Sequence, residues 1–459
     1  MALGSMLSRL PPDLSVPGRG RDDREGRRVR PTRWRRVLVS SGLVVALGGT
    51  SGFGCADAGG PGDEGAEAVA SPKPGGEVAV SDVGSDAPDA GDALEDPGAS
   101  EAGAEPPAAA ELAEPMAERF ELAMVGDIIF GRYREGEFDR IATPEQDVFA
   151  AMREALRADM TIANLETPLV DALMDKVAPN ARFRFGATAE MASGLAGAGF
   201  DALILANNHY NDQREAGLEA TPRLLAAMGI AAVGATQAEA PALRWTTVER
   251  AGWRVGFMAA TSRLNMPLGA EPPFVPYLET KDIADAIVPR IAEAREDHDL
   301  LVVSLHWGVE YTDGPSPRQK QAARALIDAG ADVVFGHHPH VLHGVEFYGG
   351  GVIAYSMGNF VFENTHAEPR LTGVLKVEWA REAGPRGKRC PARLRFLPAV
   401  VARHPFHHPE PATGRDAKLV ETRLRAGSSE LGLEWKGPLS EDGPLEFAVE
   451  TCPRAPGEE

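Results

Sequence analysis

Phe120-Glu121-Leu122-Ala123-Met124-Val125 runs without a break into Gly126-Asp127, and the recurrence of that figure decides the fold. A short apolar run bounded by glycine reads as a buried strand, and this one ends on a residue able to bind a metal or move a proton. Asp159-Met160-Thr161-Ile162-Ala163 leads into Asn164-Leu165-Glu166, and the run 200–206 leads into Asn207-Asn208-His209. The run 299–305 leads into His306-Trp307-Gly308, and 331–335 into Gly336-His337-His338-Pro339-His340. Helical stretches separate these runs, at 148–158, 189–198, 217–228, 284–294 and 317–329. Alternating strands and helices imply an α/β architecture, whose strands present their carboxyl ends to one crevice. Five polar tips are expected to converge there. Runs at 245–248, 254–258, 351–355 and 375–379 read as further strands that need not be parallel, so a sheet-on-sheet core flanked by helices is expected. After Trp379 the pattern is less regular, with weak strands at Leu394-Arg395-Phe396 and 445–449; residues 380–459 read as an extension of the same domain.

Outward from this domain, which spans 119–459, the chain changes character. Residues 1–36 carry ten arginines against four acids and lead into an apolar run from Val37 that is interrupted by Ser40, Ser41 and glycines before Cys55. That is the charged and then apolar order of an export signal, too broken for a permanent membrane span. Gly52-Phe53-Gly54-Cys55 resembles a lipobox with glycine in the place of leucine, so residues 1–55 read as a signal peptide with lipidation at Cys55. Acyl chains would hold the protein at a bilayer by burying methylenes at roughly 0.8 kcal/mol each; an uncleaved anchor is the alternative. Arg35-Arg36 also fits a twin-arginine signal, but adjacent arginines mean little in so basic a segment. Residues 56–118 hold sixteen acids and one lysine among Ala, Gly, Pro and Ser. Such a composition cannot offset its ordering entropy, and a disordered, self-repelling tether is expected. The formal charge of −20 divides into +6 for residues 1–55, −15 for 56–118 and −11 for the rest. An acidic folded part excludes nonspecific nucleic-acid binding. Cys390 and Cys452 could form one disulfide, and three cysteines in all cannot build a thiolate metal cage.

Taken singly, the residues at the strand tips have ordinary readings: Asp127 or Glu166 caps a loop, Asn208 fills a turn, His306 sits satisfied at a strand end. Together, carboxylate, amide and imidazole groups form the mixed oxygen and nitrogen set that suits Mn, Fe, Zn or Mg. Six motifs in order, Gly126-Asp127, Asn164-Leu165-Glu166, Ala206-Asn207-Asn208-His209 with Asp212, His306-Trp307-Gly308-Val309-Glu310-Tyr311, Gly336-His337-His338-Pro339-His340 and Tyr355-Ser356-Met357-Gly358-Asn359-Phe360, resemble the signatures of the CapA capsule-synthesis family. That family is a branch of the calcineurin-like metallophosphoesterases, and the resemblance covers roughly residues 120–365.

The resemblance implies a four-layer αββα sandwich of the metallophosphoesterase type and one or two divalent ions (Mn, Zn, Fe or Mg) per chain. It implies Asp127, Glu166, Asn208, His306 and His340 as metal ligands, with Glu166 as the bridge, and His338 as a sixth. His337 follows the glycine directly, so which of His337 and His338 binds stays open. His209 matches a histidine that stabilises the transition state or protonates a leaving group, with Asp212 placed to orient it and raise its pKa. Two departures stand out. Gln213-Arg214 replaces the family's aromatic residue and glycine, which makes Arg214 a candidate substrate contact. Ile129 stands where many superfamily members have a histidine, so one metal position loses a ligand. Arg132 and Arg184, near the first two motifs, read as anion contacts or as surface salt bridges. Asn359 could hydrogen-bond a neighbouring ligand. Trp307 and Tyr311 wall the crevice or pack in the core, and His404, His407 and His408 read as surface residues of a proline-rich loop.

Three functions remain in play. The first is an exported, lipid-anchored, metal-dependent hydrolase or transferase acting on poly-γ-glutamate or another anionic capsule polymer, within or beside a capsule synthesis complex. The second is a non-catalytic subunit that holds the polymer during assembly or export. The third is a generic periplasmic phosphoesterase, which would need a nucleoside pocket that no motif supplies. His209 and Asp212 favour chemistry, and Ile129 argues against it.

Overall fold

The computed structural model describes residues 117–174, 183–235, 243–265, 275–363, 366–381, 389–437 and 443–450. The expected signal segment with Cys55, nearly all of the tether and Cys452 lie outside the described residues. The run that opens the domain forms β1 (Arg119–Ile128), buried almost throughout, followed by β2 (Met160–Leu165), β3 (Ala202–Ile204), helix α1 (Arg214–Ala227) and β4 (Ala231–Val233). The chain then builds a second sheet from β5 (Thr246–Arg250), β6 (Trp253–Thr261), α2 (Ile283–Ala294), β7 (Leu300–His306), α3 (Pro317–Asp328), β8 (Val333–His337), β9 (Val345–Tyr348) and β10 (Gly351–Ala354). It returns through β11 (Asn359–Val361), β12 (Leu371–Ala380), β13 (Pro391–Ala402), β14 (His408–Pro411), α4 (Gly414–Ser429) and β15 (Leu445–Ala448).

Among the described residues the first sheet runs β14-β13-β12-β1-β2-β3-β4, with β11 on the tip of β1 and β15 on β13; the second runs β5-β6-β7-β8-β10-β9. Strands β1 to β4 are parallel neighbours, as are β6, β7, β8 and β10. Alternate residues of a strand face opposite sides of its sheet, and the second sheet uses both. Val255, Phe257, Val302, Val333 and Phe335 join the core with the first sheet, while Met258, Leu301, Val303, Val334 and Ile353 pack with α2 and α3. Helix α2 meets them with Ile283, Ile287 and Ile291, four residues apart on one face. Helix α3 starts where Ser316 and Gln319 form a reciprocal capping box and Pro317 occupies the first turn. Each fully buried aliphatic side chain here contributes about 1.5–3 kcal/mol.

Register brings the tips together. Asp127 stands opposite Asn164 and Asn359, the Glu166 N–H donates to the Ile128 carbonyl at 3.0 Å, and His306 stands opposite His337. Residues 355–358 cross from the second sheet to the first over both sets of tips. A side chain on Gly126 would meet the Gly358 carbonyl oxygen at 1.9 Å, and one on Gly336 the Tyr355 oxygen at 2.1 Å. Only glycine lets this crossing close over Asp127 and His337.

Several local expectations need correction. The stretch 148–158 holds only a short 3-10 turn and Arg153–Leu156, and 189–198 only Gly194–Ala198, stopped by Gly199 at φ 85. The weak strand around Leu394 is a twelve-residue member of the first sheet, and α4 has no counterpart among the expected helices. His408 begins β14 rather than lying in a loop, while His404 is exposed. Cys390 is disulfide-bonded.

Candidate metal centre

Two buried carboxylates define the centre. Asp127 Oδ1 accepts hydrogen bonds from Asn164 Nδ2 and His337 Nδ1, both at 2.9 Å. Asp127 Oδ2 and both Glu166 oxygens accept no hydrogen bond from any described residue. His340 Nδ1 lies 3.2 Å from Asp127 Oδ2, and His306 Nε2 lies 3.2 Å from Glu166 Oε1, but neither is aligned for a hydrogen bond. His338 Nδ1 faces His306 Nε2 at 3.1 Å, and Asn359 Oδ1 holds His340 Nδ1 at 2.9 Å. The Asn208 Oδ1 and His306 Nδ1 atoms are likewise buried without a described partner. An acceptor left this way ordinarily costs about 1–3 kcal/mol, more when charged. So many together describe a donor set waiting for a cation, and its mix of carboxylate, amide and imidazole fits a divalent metal ion.

The electrostatics agree. Burial, and then the charge of Asp127, pushes the Glu166 carboxyl up to about 8. Burial works in the same sense on Asp127, but the adjacent His337, hydrogen-bonded to it, and His340, at 3.2 Å, outweigh it and hold that carboxyl well below its usual range. Burial and the neighbouring His338 push His306 well down, and burial with the charge of His340 takes His338 down to about 3. Both are thus neutral imidazoles, the form in which histidine binds a metal. Against its own burial, His340 is raised by Glu166 and Asp127 to about 9. Backbone strain gathers here too: His338 and His340 have φ of 95 and 58, left-handed values unusual for non-glycine residues.

Beside the centre, His209 Nδ1 meets Asp212 Oδ2 at 2.7 Å. Burial opposes a charge on His209, but Asp212 more than compensates and raises its pKa. Phe185 stacks on the His209 ring with centroids 3.9 Å apart, and its N–H donates to the same Asp212 oxygen at 2.7 Å. Gln213 Nε2 donates to the Phe185 carbonyl at 2.6 Å. A cavity of about 910 Å³ opens over this pair, with Asn208, His340, Arg132 and Arg184 in its wall. The short pairing of Arg132 and Tyr133 with Phe185 and Arg184 places the two arginines on neighbouring strands. Arg132 is bound to Glu363 at 2.5 Å while still lining the cavity.

The structure therefore brings together Asp127, Glu166, Asn208, His306, His338, His340, His209, Asp212 and Asn359. It does not bring Arg214, which is exposed and is not among the cavity-lining residues. His337 and His338 take different places: His337 braces Asp127, and His338 faces His306. Trp307 is core, packed on Tyr355, whereas Tyr311 is 59% exposed in the cavity wall. Sequence reasoning gave no role to the amide relay in which Asn207 Nδ2 donates to Asn164 Oδ1 and Asn207 Oδ1 accepts the His209 N–H. It also passed over Asn265, whose Oδ1 accepts from Asn208 and whose Nδ2 lies 3.3 Å from the His209 ring nitrogens. Asn265 follows the end of β6, so the rule of polar strand tips could have found it.

Residues 121–364 match the family described as bacterial capsule synthesis protein PGA_cap. The chain is 30% identical over 334 residues to the PGA biosynthesis protein CapA of Bacillus subtilis, covering 72% of this chain and 82% of that protein. It is 33% identical over 258 residues to the capsule biosynthesis protein CapA of Bacillus anthracis, covering 54% and 60%. A 5'-nucleotidase precursor from Thermus thermophilus superposes with a TM-score of 0.31 and 16% identity, over 60% of this chain and 54% of that one.

Proposed function

The chain belongs to the bacterial capsule synthesis protein family PGA_cap, and from that premise we propose that it is a metal-dependent hydrolase or transferase acting on poly-γ-glutamate or another anionic capsule polymer. The observation that carries this reading is the set of three unpartnered carboxylate oxygens, on Asp127 and Glu166, buried beside the His209–Asp212 pair. In this reading the two sheets and their helices form the four-layer αββα sandwich of a metallophosphoesterase. Asp127, Glu166 and His340 would hold one divalent ion, and Glu166, Asn208, His306 and His338 a second, with Mn, Zn, Fe and Mg all compatible. Bound there, such ions supply Lewis acidity and a water acidic enough to attack at neutral pH. The chain's own residues do the rest. Asp212 fixes the His209 ring through Nδ1, Phe185 holds it from one face, and the imidazole stands in the cavity wall where it can give a proton to a leaving group.

An anionic polymer suits the cavity only with metal present. Three arginines (Arg132, Arg184, Arg423) face five carboxylates (Asp212, Glu310, Asp313, Glu363, Glu368) in its wall, so the cations must come from outside the chain. We extend the proposal to export and lipid anchoring at Cys55, on the strength of the basic and then apolar order of residues 1–55, and to work beside a capsule synthesis complex. A second reading, a polymer-holding assembly subunit, draws on Ile129, fully buried in the apolar core and offering no ligand. His209→Ala separates the two. Under the enzymatic reading the variant keeps its metal content by elemental analysis and loses roughly 10²–10⁴ in metal-dependent cleavage of γ-glutamyl peptides or a model phosphodiester. Undiminished polymer production in cells by that variant would move the assignment to the assembly role.

A further inference from the structure

Ile129 leaves the ion position next to His340 one ligand short, and the structure holds another carboxylate within reach. The loop after β7 turns through Gly308 at φ 95 and Tyr311 at φ 59. It is bound to the histidine loop at both ends: the Trp307 N–H donates to the His337 carbonyl at 3.0 Å and the Tyr311 N–H to the Pro339 carbonyl at 2.9 Å. Between these ties stands Glu310, exposed in the cavity wall. A carboxylate oxygen of Glu310 and one ring nitrogen each of His338 and His340 all lie within 4.8 Å of one another. The same limit joins His340 to Asp127 and Glu166. His340 is therefore shared between an inner and an outer group of ligand atoms.

We propose that Glu310 is the outer carboxylate ligand of the metal centre, supplying at the cavity face the donor that Ile129 does not provide. The inference rests on the metal reading of the site and deepens it. With Glu310 included, the groups gathered at His340 are three carboxylates (Asp127, Glu166, Glu310) and the imidazoles of His338 and His340 itself, a harder set than a further histidine in the place of Ile129 would make. Carboxylate-rich sites suit Mn²⁺ and Mg²⁺, while imidazole-rich ones suit Zn²⁺. Because Glu310 is exposed while Asp127 and Glu166 are fully buried, it is also the ligand that an incoming anionic group can displace without unfolding anything.

The test is calorimetric titration of the chelator-stripped full chain with MnCl₂, comparing the unaltered protein with Glu310→Gln and Glu310→Asp. Glu310→Gln should weaken Mn²⁺ binding, or the weaker of two steps, by about 10–100-fold, the scale on which changes around a metal site act. Glu310→Asp should fall between. Thermal unfolding of the metal-free proteins should be the same for all three, since the side chain is exposed. Mn²⁺ affinity and stoichiometry unchanged in Glu310→Gln would overturn the role of Glu310 while leaving the inner site standing. Absence of divalent-ion binding by the unaltered chain would instead overturn the metal reading, and this inference with it.

Discussion

Glu166 and Asp332 are both fully buried acids at strand ends, yet the fold surrounds them differently. Asp332 precedes β8, at the amino end of the second sheet, where Arg295 reaches Oδ2 at 2.6 Å, the Leu301 N–H reaches the same oxygen at 2.7 Å, and the Arg389 N–H reaches Oδ1 at 3.3 Å. Its neighbour Asp299 is held by the Arg254 N–H and by the guanidiniums of Arg381 and Arg389, both of which lie over the Trp253 ring. At the carboxyl ends of the strands no arginine or lysine approaches Asp127 or Glu166 within ion-pairing distance among the described residues, and three of their four oxygens are left bare. Burying a charge is tolerable only when something compensates it. At one end of the molecule arginines and backbone N–H groups compensate the buried charge, which is framework; at the other only histidines approach and three carboxylate oxygens keep no hydrogen bond, which suits a place for an ion from solution.

The two ends should consequently respond to neutralisation with opposite sign. Asp332→Asn strands Arg295 in a mostly buried place and should destabilise the protein by about 3 kcal/mol in urea unfolding, near the low end for a broken buried pair. The low end applies because Arg295 keeps the Gly330 and His298 carbonyls as acceptors. Metal content should not change. Glu166→Gln should abolish binding of at least one ion, yet leave the metal-free protein as stable as before at neutral pH and more stable by about 1–2 kcal/mol above pH 8, where Glu166 would otherwise carry a buried charge. The pH dependence follows the same logic. The Glu166 carboxyl stands at about 8 in the folded protein, against about 4.3 when free. The metal-free protein therefore loses stability as pH rises from about 4.3 through 8, and Glu166→Gln should flatten that slope. A metal-free protein destabilised by Glu166→Gln at pH 8 would break the comparison.

What could be read in the sequence was the end of each apolar run. Strands β1, β2, β7 and β8 are buried on both faces over most of their length, so their side chains are mainly apolar apart from Arg119, Glu121, Thr161 and Ser304, and the carboxylate, amide or imidazole residue that closes each run is visible as a tip. The pattern fails where charge stays inside a sheet. Strand β13 alternates Arg393 and Arg395 with apolar residues, and those arginines bind Glu378 on the neighbouring β12 and Glu121 on β1, one strand further, so a central strand reads as a weak one. Helix α4 buries Val420 and Leu424 but also Glu421 and Ser428, too thin an apolar stripe to declare itself. Glu310 escaped for another reason: its place in the cavity wall comes from a loop folding back, and loop closure leaves no periodicity to detect.

The smallest expected effect lies at Arg214, where sequence and structure part over function. Its backbone has φ 53, a left-handed value that costs a residue with a Cβ about 1–2 kcal/mol. The family places glycine at the matching position, and glycine adopts that conformation without the penalty, at some cost in unfolded-state entropy. Arg214→Gly should therefore raise stability by up to about 1 kcal/mol in thermal unfolding. Because the side chain is exposed and absent from the cavity wall, metal affinity and any turnover should be unchanged. A fall in affinity for an anionic polymer would restore Arg214 to the binding site and show that the cavity extends over the start of α1. Unchanged affinity with a gain in stability would assign the family's glycine at this position to backbone geometry alone.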